Sequence, residues 1–129
     1  MNRPYAYILD GTTPVPSRDV EEWCSWMGTN NDKREVKKEH IGDVLVSTVF
    51  TGIDLNWYRD GLPVLFETMA FSHDKSPWNR QIFGRYSSWD DAVEGHKCAV
   101  QEISSYLRFH LPDSINQSEE SSEKDEDDE

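Results

Sequence analysis

The hydrophobic pattern predicts a run of strands in the middle of the chain. Val44 to Ile53 is rich in β-branched residues and is the best-defined of these strands. Glu35 to Ile41 precedes it across Gly42-Asp43, and its lysines are typical of an edge strand that is protected from further pairing. Val64 to Phe71 is apolar at both strand parities, which predicts an interior strand, and a short strand from Ile82 to Tyr86 follows.

A short strand and a first helix are predicted ahead of this sheet. Tyr5 to Leu9 is the strand, and the segment from Asp10 to Pro16, which contains Pro and Gly, is predicted to be a turn. Ser17 can then cap a helix that ends at Gly28. The apolar stripe of this helix is predicted to contain Val20, Trp23, Cys24 and Met27.

A second, longer helix is predicted after Ser87 and Ser88, either of which can cap it. Its apolar side chains recur at three- and four-residue steps and define one face. That face comprises Trp89, Ala92, Val93, His96, Ala99, Val100, Ile103 and Leu107. Gly95 costs about 1 kcal/mol of helix propensity relative to Ala, which we expect where the helix lies close to a strand.

These elements predict an α+β fold, with an antiparallel sheet of four or five strands and two helices packed on one face. Residues 1–115 are predicted to form a single α+β domain. Residues 116–129 are predicted to be a disordered acidic tail, because this Ser-, Glu- and Asp-rich segment has too few apolar side chains to offset the entropy cost of folding.

The net charge of −12 lies mostly at the end of the chain, since Ser118 to Glu129 contains eight acidic residues and one lysine. An acidic chain lacks the basic face that direct binding to a nucleic-acid backbone requires. Cys24 and Cys98 are too few and too far apart for a disulfide framework or a zinc site. The start of the chain does not resemble a signal peptide, and we expect a soluble, intracellular protein without a membrane segment.

Glu67 is the most informative charged residue, because it lies in the strand that is apolar on both faces. An unpaired carboxylate there would be costly. Arg85 on the next strand and His96 on the long helix are the available partners, and we hypothesise one buried hydrogen-bonded cluster that also includes Thr68 and Tyr86. The cluster is either a structural clasp or a ligand site that exchanges protons, and the lack of a nucleophile, a Gly-rich loop or metal-ligand spacing favours the clasp.

Aromatic residues in connecting segments are the second candidate site. Trp57, Tyr58 and Trp78 either bind a partner or fold back onto the core, and the sequence leaves both alternatives open. His73 beside Asp74 is a weak metal signal that ordinary surface exposure outweighs. No cofactor and no metal are therefore expected.

The acidic tail has three interpretations. It is a solubilising extension, a mimic of nucleic-acid phosphates toward a basic partner, or a phosphorylation segment. The candidate phosphorylation sites are Ser118, Ser121 and Ser122, each of which precedes acidic residues.

Four segments resemble a family of small uncharacterised proteins of tailed bacteriophages and prophages. They are Tyr7-Ile-Leu-Asp10, Val46-Ser-Thr-Val-Phe-Thr-Gly-Ile-Asp54, Leu65-Phe-Glu-Thr-Met69 and Arg85-Tyr-Ser-Ser-Trp-Asp-Asp-Ala-Val-Glu-Gly-His96. The segment from Phe71 to Pro77 differs from the family, which typically has a glycine-containing turn there. The resemblance implies a phage or prophage origin and no established activity.

The leading functional hypothesis is a non-enzymatic phage accessory protein that binds a host or phage protein in the host cytoplasm. One version is a counter-defence protein that imitates DNA. The alternatives are a small-molecule or nucleotide-binding domain with a site at Glu67 and His96, and a minor virion component.

Overall fold

The computed structural model of the protein describes residues 4–58, 60–73 and 76–110. The elements in chain order are β1 (Tyr7–Asp10), β2 (Thr13–Pro16), α1 (Val20–Thr29), a 3-10 turn (Asp32–Arg34), β3 (Glu35–Ile41), β4 (Val44–Phe50), β5 (Phe66–Phe71), β6 (Gln81–Tyr86) and α2 (Trp89–His110). The predicted domain boundary at residue 115 and the predicted tail, residues 116–129, lie outside the described residues. The chain divides after Ala99 into two compact units, and the contacts among β1 to β6, α1 and the part of α2 up to Ala99 lie within the first unit.

The main sheet is antiparallel and has four strands in the order β3-β4-β5-β6, so each strand pairs with its neighbour in sequence. The two-residue turn Gly42-Asp43 joins β3 to β4 and pairs Ile41 with Val44. A separate two-stranded sheet consists of β1 and β2. The predicted α+β class is confirmed, and the predicted strand from Glu35 to Ile41 is confirmed with its bounds.

One face of the main sheet is covered by both helices. Along β4 the buried positions alternate with partly exposed ones, because successive side chains of a strand point to opposite faces. Phe50 and Phe66 lie at the centre of the core on the covered face. Trp26 of α1 contacts Phe50 edge-on with ring centroids 5.9 Å apart, and Trp89 of α2 contacts Phe66 in the same way at 6.1 Å.

The first hairpin differs from the sequence prediction, which had a turn from Asp10 to Pro16. Within that segment Thr13–Pro16 pairs with Tyr7–Asp10 as β2. Pro14 and Pro16 are tolerated because β2 is an edge strand, where a missing N–H leaves no neighbouring strand unpaired. Tyr7 and Leu9 are buried and belong to the core.

Helix α1 is rotated relative to its predicted apolar stripe. Val20 and Cys24 are exposed, so their assignment to the buried face is wrong. The helix begins after Asp19 and not Ser17, because the Asp19 carboxylate accepts the backbone N–H of Glu22 at 2.8 Å. The buried face of α1 packs Met27, which was predicted, and Trp26, which was not, against the core.

Candidate functional site

A continuous chain of hydrogen bonds runs across the covered face of the main sheet. Thr48 of β4 pairs with Thr68 of β5, and their Oγ1 atoms are 2.6 Å apart. Thr48 Oγ1 is 2.7 Å from Nδ1 of His96, and Nε2 of His96 is 2.8 Å from Oε1 of Glu39 on β3. At the other end Tyr86 Oη donates to Thr68 Oγ1 at 3.1 Å. These five residues are called the buried polar chain.

The directions of these hydrogen bonds follow from their charged end. An ionised carboxylate only accepts, so His96 donates its Nε2 proton to Glu39. In the neutral imidazole Nδ1 is then an acceptor for the Thr48 hydroxyl. Thr48 in turn accepts from Thr68, which accepts from Tyr86, and each inner group has both a donor and an acceptor role. Such complete pairing makes a buried polar network stabilising rather than costly.

Two glycines make room for the Tyr86 ring. A Cβ atom added to Gly95 of α2 or to Gly84 of β6 would overlap with the Tyr86 hydroxyl and the adjoining ring carbons. The expected close approach of α2 to a strand at Gly95 is therefore confirmed, and the strand is β6. Because the ring fills this space, the Tyr86 hydroxyl is held against Thr68.

Glu67 does not belong to the buried polar chain, and the predicted cluster is wrong in this respect. Glu67 and Thr68 are consecutive in β5, so they point to opposite faces of the sheet. Glu67 Oε2 accepts from Nε of Arg85 at 2.8 Å on the face away from the helices, and Arg85 is substantially exposed. Of the five predicted members, Thr68, Tyr86 and His96 come together, whereas Glu67 and Arg85 form a separate pair.

The predicted cluster did not include Glu39 and Thr48, which complete the buried polar chain. Both could have been located from the Gly42-Asp43 turn, because a two-residue hairpin turn fixes the register of the strands beside it. That register places Glu39 opposite Val46, whose side chain is buried on the covered face. Because β3 carries charged residues on both faces, its sequence did not distinguish this inward-facing carboxylate from the exposed charges.

The arrangement of Glu39, His96 and Thr48 has the contacts of an acid–imidazole–hydroxyl triad, but it lacks access to the hydroxyl. In a hydrolytic triad the hydroxyl oxygen attacks a substrate carbonyl. Thr48 has 0% exposure, and its Oγ1 already contacts Thr68. A substrate carbonyl therefore has no access to this oxygen in the structure.

The Glu39 end of the buried polar chain borders a cavity of about 220 Å³ between β3 and α2. Its lining consists of Val36, Lys37, Glu39, Val93, His96 and Lys97. The Glu39 side chain is 40% exposed, whereas that of His96 is 3% exposed. The accessible group of the buried polar chain is therefore the Glu39 carboxylate, and the His96 imidazole that is hydrogen-bonded to it is buried.

The connection between β4 and β5 is held by a buried carboxylate. Asp54 has 0% exposure, and its Oδ1 accepts the backbone N–H groups of Asn56 and Val64, each at 2.9 Å. The Asn56 side-chain amide donates to the carbonyl of Leu62 at 3.2 Å. These bonds hold the two ends of the connection, at Asn56 and at Leu62 to Val64, close to each other.

Three large apolar side chains project from this connection. Trp57 is 66% exposed, Tyr58 is 92% exposed and Leu62 is 72% exposed. These three residues are called the aromatic loop. Trp78, the third predicted partner-binding aromatic residue, is partly buried and stacks on Phe83 with ring centroids 5.4 Å apart. Of the two alternatives that the sequence left open, Trp57 and Tyr58 are exposed as partner-binding residues would be, whereas Trp78 folds back.

The described residues contain neither a metal-binding cluster nor a membrane-spanning helix. Within that part of the chain no group of three or more His, Cys, Asp or Glu side chains is placed to hold a metal ion. His73 is exposed, and its predicted companion Asp74 lies outside the described residues. The helices in the described ranges are all too short or too polar to cross a bilayer.

No family model, curated protein or solved structure matches this chain. The resemblance to tailed-phage proteins therefore stays a prediction. The features of the described residues that bear on function are the buried polar chain, the cavity beside it and the aromatic loop.

Proposed function

We propose that this protein is a non-enzymatic phage accessory protein that binds another protein in the host cytoplasm through the aromatic loop. The observation that carries the proposal is that Trp57 and Tyr58 are exposed in a loop whose two ends are hydrogen-bonded to the buried Asp54. The phage origin rests on the sequence resemblance alone.

Exposed aromatic side chains on an ordered loop have the properties of an interface hot spot. Trp and Tyr are enriched at such positions because each buries a large area while losing little rotamer freedom. Association also costs less when the loop is already ordered before binding. Asp54 fixes the two ends of the loop, because its buried carboxylate accepts the backbone N–H groups of Asn56 and Val64 and would be costly to bury without them.

Two other function classes receive less support from the same observations. Catalysis through the acid–imidazole–hydroxyl arrangement would require access to Thr48, which is fully buried. Direct binding to nucleic acid would require a basic face, whereas the net charge is −5 even without Ser118 to Glu129 (12 basic and 17 acidic residues). The DNA-mimic version of the proposal depends on residues 116–129, which lie outside the described residues.

Affinity capture with a matched pair of variants tests the proposal. The full-length chain, the Trp57→Ala/Tyr58→Ala variant and a Phe109→Ala control are each used to capture proteins from host lysate. Phe109 is 75% exposed on α2, so its removal deletes a comparably exposed ring elsewhere. We expect a specific partner whose affinity falls about 30-fold in the double variant, the factor for a loss of about 2 kcal/mol at a hot spot, and stays unchanged in the control.

Two results would contradict the proposal. One is a partner set that is identical for the wild type and the double variant, and the other is the absence of any specific partner. Far-UV circular dichroism of each variant establishes that the fold is retained, which is expected because both rings are exposed. Repeating the capture at high salt separates an acidic DNA-mimic contact, which weakens, from an apolar contact, which persists.

A further inference from the structure

The cavity between β3 and α2 combines a fixed carboxylate with an apolar wall. Glu39 Oε1 accepts from His96, and His96 is held in turn by Thr48. Glu39 Oε2 accepts no hydrogen bond from any described residue. A preorganised, half-exposed carboxylate oxygen therefore faces the cavity region with capacity for a further donor.

A cation borders the same cavity. Lys37 lies two residues before Glu39 on β3, and a bulge between Glu35 and Lys37 allows Val36 and Lys37 both to line the cavity; the Cα atoms of Lys37 and Glu39 are roughly 6–7 Å apart. Lys37 forms no ion pair within the described part of the chain. Lys97, the second lysine of the lining, is paired with Glu94 at 3.2 Å. The charge pattern is thus one available carboxylate oxygen and one available ammonium group.

The apolar wall and the volume restrict the ligand further. Val36 of β3 and Val93 of α2 supply branched aliphatic surface. The volume of about 220 Å³ is below the roughly 300–1,000 Å³ of pockets for drug-sized ligands, which argues against a nucleotide. The fitting ligand is small, has an aliphatic body and carries both charges.

We infer that this cavity binds a free α-amino acid with an aliphatic side chain. The ligand ammonium donates to Glu39 Oε2, the ligand carboxylate pairs with the Lys37 ammonium, and the side chain packs between Val36 and Val93. This site is separate in residues and in chemistry from the aromatic loop, so it adds a ligand to a protein whose partner surface lies elsewhere.

Nuclear magnetic resonance titration of the full-length, ¹⁵N-labelled chain with L-leucine tests the inference. For so small a ligand we expect a dissociation constant of about 1 mM, so the titration runs to about 10 mM. Amide shifts should concentrate in β3 and in the part of α2 that lines the cavity. The absence of saturable shifts in these segments, or larger shifts elsewhere, would overturn the inference.

Two variants on one strand establish the role of the carboxylate. Glu39→Gln removes the charge, but its amide oxygen still accepts the Nε2 proton of His96, so the fold is expected to persist. Glu35→Gln removes an exposed charge from the same strand as a control. We expect Glu39→Gln to weaken leucine binding at least tenfold and Glu35→Gln to leave it unchanged, and equal binding by both variants would refute the assignment.

Two leucine analogues test the zwitterion requirement. The acid 4-methylpentanoate lacks the ammonium group, and 3-methylbutylamine lacks the carboxylate. Each should bind at least tenfold more weakly than leucine. Equal binding of the acid would overturn the contact with Glu39, and equal binding of the amine would overturn the contact with Lys37.

Discussion

Alanine at Gly95 should destabilise this protein, although the same change in an open helix is stabilising. In a helix interior Ala is favoured over Gly by about 1 kcal/mol. At Gly95, however, the added Cβ would overlap with the hydroxyl and ring carbons of Tyr86. The sign of the stability change therefore reports whether α2 lies against β6 as the structure has it.

The magnitude follows from two opposing effects. Overpacking a well-filled region costs about 1–3 kcal/mol, and the upper part of that range applies because a planar ring cannot bend away. Subtracting the helix-propensity gain of about 1 kcal/mol leaves a net loss of about 1–2 kcal/mol. For a domain of about 100 residues this lowers the midpoint of thermal unfolding by roughly 5–15 °C.

Urea and thermal unfolding of Gly95→Ala and Gly28→Ala measure the effect with its control. Gly28 lies in α1, and a Cβ there would meet no atom within 4 Å. Gly28→Ala should be neutral or stabilising by up to about 1 kcal/mol. If Gly95→Ala raises stability in the same way, the Tyr86 ring does not lie between Gly95 of α2 and Gly84 of β6 as the structure has it.

A double-mutant cycle with Tyr86→Leu assigns the cost to the ring. Leucine is shorter and should relieve the overlap, so Gly95→Ala should lose its penalty in that background. The coupling energy is expected to be about 1–3 kcal/mol, the range for residues in direct contact. Additive effects of the two substitutions would show that the cost arises elsewhere.

Two further predictions concern the buried polar chain and the start of α1. Thr48→Val deprives His96 and Thr68 of a hydrogen-bond partner and should lower the free energy of unfolding by about 2–4 kcal/mol. The control Ser47→Ala, on the opposite face of the sheet, should change it by less than about 0.5 kcal/mol. Equal effects of the two substitutions in urea denaturation would contradict the hydrogen bonding of the buried polar chain. The Arg18 backbone N–H, which donates to Glu22 at 2.7 Å, is the largest influence on the pKa of Glu22 and lowers it, with burial acting in the opposite direction. A lowered pKa in the folded state stabilises the protein above the unfolded value of about 4.3, and this contribution disappears as the pH falls through the folded value. Glu22→Gln should therefore be less stable than wild type at neutral pH and equal to it in acid, and a pH-independent difference in urea midpoints would refute this reasoning.

The sequence predicted β4 as a strand, and the two-residue period of a strand accounts for which of its residues are buried. Val44, Val46, Thr48 and Phe50 share one parity, and all four are buried. The spacing of apolar residues in α2 likewise predicted that His96 faces inward, and it is buried. Both predictions succeed because the period of a regular element is a local property of the backbone.

The predicted contact of Glu67 with Arg85 is confirmed, but the predicted contact with His96 is wrong because the strand is apolar at both parities. Val64, Phe66 and Ala70 are as apolar as Leu65, Met69 and Phe71, so the pattern could not tell which side the helices cover. The structure covers the side of Thr68, and Glu67 therefore lies on the other face with Arg85. The prediction of an acid–imidazole contact was chemically sound, but the acid is Glu39.

What the sequence by itself determined about this protein is the four strands of the main sheet, strand β1, the two helices and the inward face of α2, whereas β2 was predicted to be a turn. These features depend on residues that are neighbours along one element. Only the tertiary structure decided that Glu39, Thr48, Thr68, Tyr86 and His96 meet, and that a cavity opens beside the first of them. Their meeting depends on strand register and on the distance between α2 and the sheet, which long-range packing sets and no local pattern encodes.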